Sequence, residues 1–170
     1  MEFRIAEAQK RVGDIFPFAG SLDADGETWL GRELKFNCPM QAEGTYVFDS
    51  GIVTVEGRLK ASLADVCSLC GKSITIDLDL PFSERFERVS QWDEEHETYA
   101  YEGETILLDR MLLDILYLNL PIAPVCKTDC KGLCPVCGAD RNIVDCGCER
   151  AEKDNPFAVL KQMTNINKEV

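Results

Sequence analysis

Nine cysteines and a single histidine bound the chemistry open to this chain. Cys126, Cys130, Cys134, Cys137, Cys146 and Cys148 fall within twenty-three residues, while Cys67 and Cys70 form a separate Cys-Ser-Leu-Cys pair and Cys38 stands alone. Cys134-Pro-Val-Cys137-Gly138 has the C-x-x-C-G form of a zinc knuckle. A tight turn with glycine behind it lets two thiolates and nearby backbone N–H groups converge on one metal. Cys134 and Cys137 are thus the first two ligands. The other two come from Cys126 and Cys130 or from Cys146 and Cys148. Adding Cys67 and Cys70, as a second metal pair or a redox pair, makes eight thiols, enough for two tetrads. His96 is the only histidine and lies in an acidic segment, so a metal site here is all-cysteine. A closed thiolate tetrad leaves no coordination position for substrate or water, so the zinc it holds is structural. In small peptides such zinc supplies on the order of 10 kcal/mol of apparent binding energy. That suits a segment with few large apolar residues of its own.

Other uses of the thiols fit less well. An odd number of cysteines cannot form a fully paired disulfide framework within one chain. A zinc-dependent nucleobase deaminase needs H-x-E and P-C-x-x-C. Here Glu97 follows His96 directly, and the proline lies inside the Cys134–Cys137 pair. A redox dithiol usually opens a helix within a βαβ unit, whereas Cys67 and Cys70 join two strand-like runs. The alternative to a structural site is a thiol redox or zinc-dependent enzyme using Cys67 and Cys70 or the C-terminal cysteines. No glycine-rich phosphate loop, Ser-His-Asp set or catalytic carboxylate pair is recognisable, so the reading is of a protein that is not an enzyme.

The elements that position these cysteines are mostly strands. Residues 33–89 read as antiparallel sheet. Leu34, Phe36 and Cys38 share one face of an alternating run, which makes Cys38 a small core residue. Asp49-Ser50-Gly51 is a hairpin turn between Tyr46–Phe48 and the run from Ile52. Val53, Val55, Leu59, Ala61 and Leu63 alternate with Thr54, Glu56, Arg58, Lys60 and Ser62, the pattern of a strand with one wet face. Alternation resumes at Ile74, Ile76, Leu78 and Leu80, which puts Cys67 and Cys70 at the tip of a long hairpin. Residues 107–119 carry a broad apolar helical face through Leu108, Met111, Leu112, Ile115 and Leu116, and Pro121 stops the helix. That face packs on the sheet. Near the end of the chain, Asn155 and Pro156 suit the start of a short helix with Phe157, Leu160 and Thr164 along one stripe. Residues 1–30 read as short strand or loop, with a turn at Asp23–Gly26. The expected class is α+β: an antiparallel sheet with a packed helix over residues 1–121, then a cysteine-rich, zinc-knuckle segment and a terminal helix over 122–170.

The chain has 170 residues, enough for one sizeable core, and a formal net charge of −12. Hydrophobic residues make up 45% and charged ones 28%, a globular balance. No apolar run is long enough to span a bilayer and no secretory signal is visible, so the expectation is a cytoplasmic protein with reduced thiols. The acidic balance weighs against broad phosphate binding, whose affinity comes from cationic contacts. Direct RNA contact is therefore not supported by charge, and a basic protein partner is. The contact surface expected for it is the hairpin tip through Lys72 with Arg58 and Lys60 on the wet face.

Taken together the motifs resemble a known family. They are Cys67-x-x-Cys70 on a hairpin, Tyr101-Glu-Gly-Glu-Thr-Ile106, a leucine-rich helix ending in Leu120-Pro121, Cys126-x-x-x-Cys130-Lys-Gly-Leu-Cys134-Pro-x-Cys137-Gly, Cys146-x-Cys148 and Asn155-Pro-Phe-Ala-Val-Leu160. The set is similar to the YceD family of large ribosomal RNA subunit accumulation proteins, in its cysteine-cluster-containing branch. The resemblance covers roughly residues 28–165. It implies a bacterial cytosolic factor needed for normal levels of large-subunit ribosomal RNA and linked to ribosome assembly, with no established catalytic activity; the charge adds the expectation of a ribosomal or rRNA-processing protein as partner. Family members often carry arginine inside the first pair, where this chain has Leu69, and some lack the six-cysteine cluster.

Overall fold

Period-two alternation of apolar and polar residues builds most of the frame, which a computed structural model describes for residues 1–90 and 98–148. In chain order the elements are β1 (Glu2–Arg4), α1 (Ala6–Lys10), β2 (Ile15–Leu22), β3 (Thr28–Trp29), β4 (Arg32–Glu33), β5 (Lys35–Phe36), β6 (Met40–Asp49), β7 (Ile52–Val66), β8 (Ser73–Arg88), β9 (Tyr99–Tyr101), β10 (Thr105–Leu107) and α2 (Asp109–Asn119). The main sheet runs β2-β6-β7-β8-β9, with β5 pairing the far end of β7. All its pairs are antiparallel except β8–β9, which is parallel. β1 pairs with β10, and β3 with β4, in two small separate ladders.

The hairpin turn forms where Asp49-Ser50-Gly51 predicts it. Asp49 pairs with Ile52, and Ser50 and Gly51 both take positive φ, at 50° and 90°. Two residues with positive φ match the strand twist of a tight hairpin. β7 and β8 then run side by side from Ile52↔Glu87 to Val66↔Ser73, so residues 67–72 cap a long arm. Val53, Val55, Leu59, Ala61 and Leu63 are all buried. Met111, Leu112, Ile115 and Leu116 of α2 belong to the same buried cluster as these sheet residues. Burial of such a side chain contributes about 1.5–3 kcal/mol. No charged residue is buried among the described residues. Tyr101, deep in the structure, has its hydroxyl satisfied by donation to Gly51 O at 2.8 Å, which ties β9 to the hairpin turn. Among the described residues no helix is long and apolar enough to cross a membrane.

Three expectations meet a different outcome. Cys38 is exposed: β5 ends at Phe36 and residues 37–38 form a bend, so the alternation that would turn the thiol inward has already stopped. Residues 1–30, read as strand or loop, also contain the single-turn helix α1, whose Ala8 is fully buried. The helix read from 107 starts at Asp109 because Thr105–Leu107 pairs with β1. The expected terminal helix and His96 lie outside the described residues.

Candidate metal centres

Two groups of four thiols converge. Cys67, Cys70, Cys126 and Cys130 form one; Cys134, Cys137, Cys146 and Cys148 form the other, and the sulfurs within each group lie within 4.8 Å of one another. In the first group Cys67 Sγ is 3.9 Å from Cys130 Sγ, and Cys70 Sγ is 3.7 Å from Cys126 Sγ. A tetrahedron with metal–sulfur bonds of ~2.3 Å has edges of ~3.8 Å. A disulfide needs ~2.05 Å, and all nine cysteines are free. The spacing is thus that of ligands around one cation. Of the two partnerships left open for Cys134 and Cys137, the structure brings them to Cys146 and Cys148. Cys126 and Cys130 go to the hairpin tip instead.

Each group is seeded by the same local turn. At the hairpin tip Cys67 N–H donates to Lys72 O (2.8 Å) and Gly71 N–H to Cys67 O (2.8 Å); in the second, Cys134 N–H donates to Ala139 O (2.8 Å) and Gly138 N–H to Cys134 O (2.9 Å). Gly71 and Gly138 both have positive φ, 71° and 75°. These are two copies of one knuckle, and glycine follows each pair because the chain must reverse there without a Cβ.

The electrostatics of both groups favour a cation. Burial pushes the Cys67 thiol up, but backbone N–H groups of Cys126, Cys70 and Leu69 outweigh it and bring the thiol down to about 6. Backbone N–H groups of Cys137 and Val136 bring Cys134 to about 6 as well, and Val136 N lies 3.4 Å from Cys134 Sγ. Conversely, burial with the neighbouring thiols Cys130, Cys70 and Cys67 pushes Cys126 up to about 12. Contacts with Cys137 and Cys146 push Cys148 to about 12. Each group thus stabilises a first thiolate and resists further ones. Four negative sulfurs held this close require a positive ion to ionise together. Zinc fits the donor set, since it accepts four thiolates in a closed shell.

The segment after α2 is stitched to the hairpin tip by more than sulfur. Ser68 donates to Pro124 O through both its backbone N–H (2.8 Å) and its hydroxyl (2.6 Å). Leu133 N–H donates to Leu69 O at 2.9 Å. Gly132 sits so close that a Cβ there would lie 2.9 Å from Leu69 O. Asn142 buttresses the first group: its side-chain nitrogen lies 3.5 Å from Cys130 Sγ and 2.7 Å from Asp140 Oδ1, while its side-chain carbonyl oxygen accepts from Lys131 N–H at 2.9 Å. Donation from the Asn142 backbone and side chain, with Lys72, holds the Asp140 carboxyl below the usual carboxylate range. Sequence reasoning misses Asn142 and Asp140, because no spacing rule marks a residue that supports ligands without being one.

Arg58, Lys60 and Lys72 are all ion-paired. Arg58 Nε lies 2.8 Å from Asp79 Oδ1, Lys60 Nζ 2.9 Å from Glu43 Oε1, and Lys72 Nζ 3.1 Å from Asp140 Oδ2. Arg58 and Lys60 lie on the wet face of the sheet, and Lys72 ties the hairpin tip to Asp140.

Comparison with known proteins gives these arrangements a setting. The sequence model of the family described as "Large ribosomal RNA subunit accumulation protein YceD" matches residues 55–164. An uncharacterized protein of Mycobacterium tuberculosis (strain H37Rv) is 33% identical over 90 residues, covering 51% of this chain and 44% of the relative. An uncharacterized protein of Mycobacterium leprae is 29% identical over 143 residues, 80% of this chain and 65% of the relative. A chloroplastic protein of Arabidopsis thaliana, named as a YCED homolog of the large ribosomal RNA subunit accumulation protein, is 36% identical over 59 residues, 35% of this chain and 18% of the relative. The chain thus spans less than half the length of the Mycobacterium tuberculosis relative. No solved structure matches it. The family match takes in most of β7, the whole of β8, α2 and both groups of thiols, well over half of the chain, and the protein belongs to the YceD family.

Proposed function

We propose that this protein is a non-catalytic factor that supports accumulation of large-subunit ribosomal RNA, braced by two structural zinc ions. The observation that carries the reading is the family match over residues 55–164, which contains both thiol groups and the hairpin tip that carries Cys67 and Cys70. Cys67, Cys70, Cys126 and Cys130 hold one zinc; Cys134, Cys137, Cys146 and Cys148 hold the other. Four thiolates close the shell and leave no position for substrate or water, so the metal braces and does not react. This also weighs against the redox alternative, because a Cys67–Cys70 dithiol would have to work with two further thiols crowded against it. The factor acts in the cytoplasm through a basic protein of the ribosome or of rRNA processing, as the charge of −12 favours. Residues 1–121 form its sheet part and 122–170 its cysteine-rich part.

Deleting the gene is expected to lower large-subunit relative to small-subunit RNA, and an unchanged ratio sinks the functional reading. Elemental analysis of protein purified without added metal is expected to give two equivalents of zinc. Less than half an equivalent, with all thiols titrating freely, removes the metal from the account.

A further inference from the structure

From the backbone of β8 we infer a docking edge: residues Ser73–Asp79 accept an extended segment of a basic protein as an added antiparallel or parallel strand. The inference rests on the reading above for the kind of partner, and on the sheet itself for the site. β9 pairs with β8 only at Phe86–Arg88. Among the described residues no strand pairs with β8 between Ser73 and Arg85 on the side away from β7.

The register says which groups point outward. Asn37 N–H donates to Ser62 O at 2.9 Å, on the side of β7 away from β8. Ser62 is the partner of Asp77, so Ser62↔Asp77 is a non-hydrogen-bonded pair and the Asp77 N–H and C=O face the free edge. Two other observations give the same parity. Cys67 N–H donates to Lys72 O, making the next pair, Val66↔Ser73, non-hydrogen-bonded. Pro81 is tolerated in the ladder where its missing N–H would point away from β7. Ser73, Thr75, Asp77 and Asp79 therefore present outward donors and acceptors, and Pro81 ends the run of donors.

Side chains say what fits. On the apolar face, Leu59, Ala61 and Leu63 of β7 are buried, yet their β8 partners Leu80, Leu78 and Ile76 are only half-buried. Among the described residues no further strand completes that row. Beside it lies a groove of about 380 Å3 lined in part by Trp29, Leu34, Ile76, Leu120 and Pro121. On the wet face stand Asp77, which accepts from the Ser62 hydroxyl at 2.7 Å, and Asp79, which holds Arg58. A segment that alternates apolar with Lys or Arg residues meets both faces: main-chain bonds give affinity and alternate side chains give specificity. A second copy of this chain does not, since pairing two such edges brings Asp77 and Asp79 of both copies onto one face, where like charges repel.

The test uses the full-length, metal-replete protein and a synthetic ten-residue peptide of alternating lysine and valine, N-methylated at alternate amides so that it cannot pair with itself. Hydrogen exchange read by NMR is expected to slow at least tenfold at the Thr75, Asp77 and Asp79 amides. Those of Ile74, Ile76 and Leu78 already face β7 and stay unchanged. Asp77→Pro removes an outward N–H without touching the β7 ladder and is expected to weaken the peptide at least tenfold. Thr75→Pro checks the same edge should the charge loss at 77 alone explain the effect. Equal binding by both variants, equal binding of a glutamate–valine peptide, or protection that grows with protein concentration alone overturns the proposal; the last result makes this edge a self-association surface. None of these readouts depends on ribosomal RNA. A failed edge with a normal deletion phenotype removes the site and leaves the function, and the converse does the reverse.

Discussion

Cys67 and Cys134 occupy equivalent places in two identical turns, and each is the thiol its own turn favours as thiolate. Both are brought from the ordinary 9.0 to about 6 by N–H groups that point at sulfur. The pH dependence follows from that direction. A depressed thiol contributes above its ordinary value, and the contribution is lost as pH falls toward its folded value. Protons displace metal at lower pH still, since only the thiolate is a ligand and a bound cation holds the sulfurs ionised further. Zinc release, followed with a chromophoric chelator during acidification from pH 8, is expected to be negligible down to pH 7 and to pass its midpoint below about pH 6. Loss already complete at pH 7.5 would show that these N–H groups do not stabilise the ligands.

At the scale of elements, the hairpin β7–β8 is a lever whose tip supplies two thiols of the first four-cysteine group. Chelation is expected to abolish hydrogen-exchange protection over residues 67–72 and 122–148 while the central amides of β6, β7 and β8 stay protected. Those strands hold their own buried apolar row, whereas the cysteine segment exposes Ile122, Val136, Ile143 and Val144. Global loss of protection would make the metal integral to the main core. The other sensitive place is the Gly44↔Gly57 pair between β6 and β7. A Cβ at Gly44 would lie 2.0 Å from Glu56 O and 2.6 Å from Gly57 Cα, both backbone atoms that cannot swing aside. Gly44→Ala is expected to cost at least the upper end of the ~1–3 kcal/mol typical of overpacking, measured by urea unfolding of the zinc-loaded protein. A loss below ~0.5 kcal/mol would mean that the strands part easily there.

At the scale of the whole molecule, acidity is the dominant property and basic residues are embedded in it. Arg58, Lys60 and Lys72 each face a carboxylate. Surface pairs of this kind contribute ~0–1 kcal/mol to stability. Reversing all three charges, by Arg58→Glu, Lys60→Glu and Lys72→Glu together, tests the wet-face and hairpin-tip surface as a partner site. Lys72 also braces Asp140 beside the thiol groups, so the triple variant is compared with Lys72→Glu alone. The triple is expected to restore the deletion's RNA ratio only in part, with zinc content unchanged. Full rescue by the triple removes that surface from the account.

Alternation, turn residues and the two C-x-x-C-G units are local properties, and the sequence by itself determined what depends on them. The Asp49–Gly51 turn, the face of β7 that is buried, the helix ending before Pro121 and the knuckle at Cys134 each follow from interactions within a few residues. Position 38 marks where that logic stops, because alternation continues on paper after the strand has bent away. Only the tertiary structure decided which pairs of thiols meet, since four pairs can be grouped in more than one way and spacing favours none. It also decided the parallel seating of β9, the helix inside residues 1–30, the Asn142 contact with Cys130 and the stretch of β8 that no strand pairs among the described residues. Each of those depends on contacts between residues far apart in the chain, whose cost in loop closure varies slowly with separation and so leaves little trace in any local pattern.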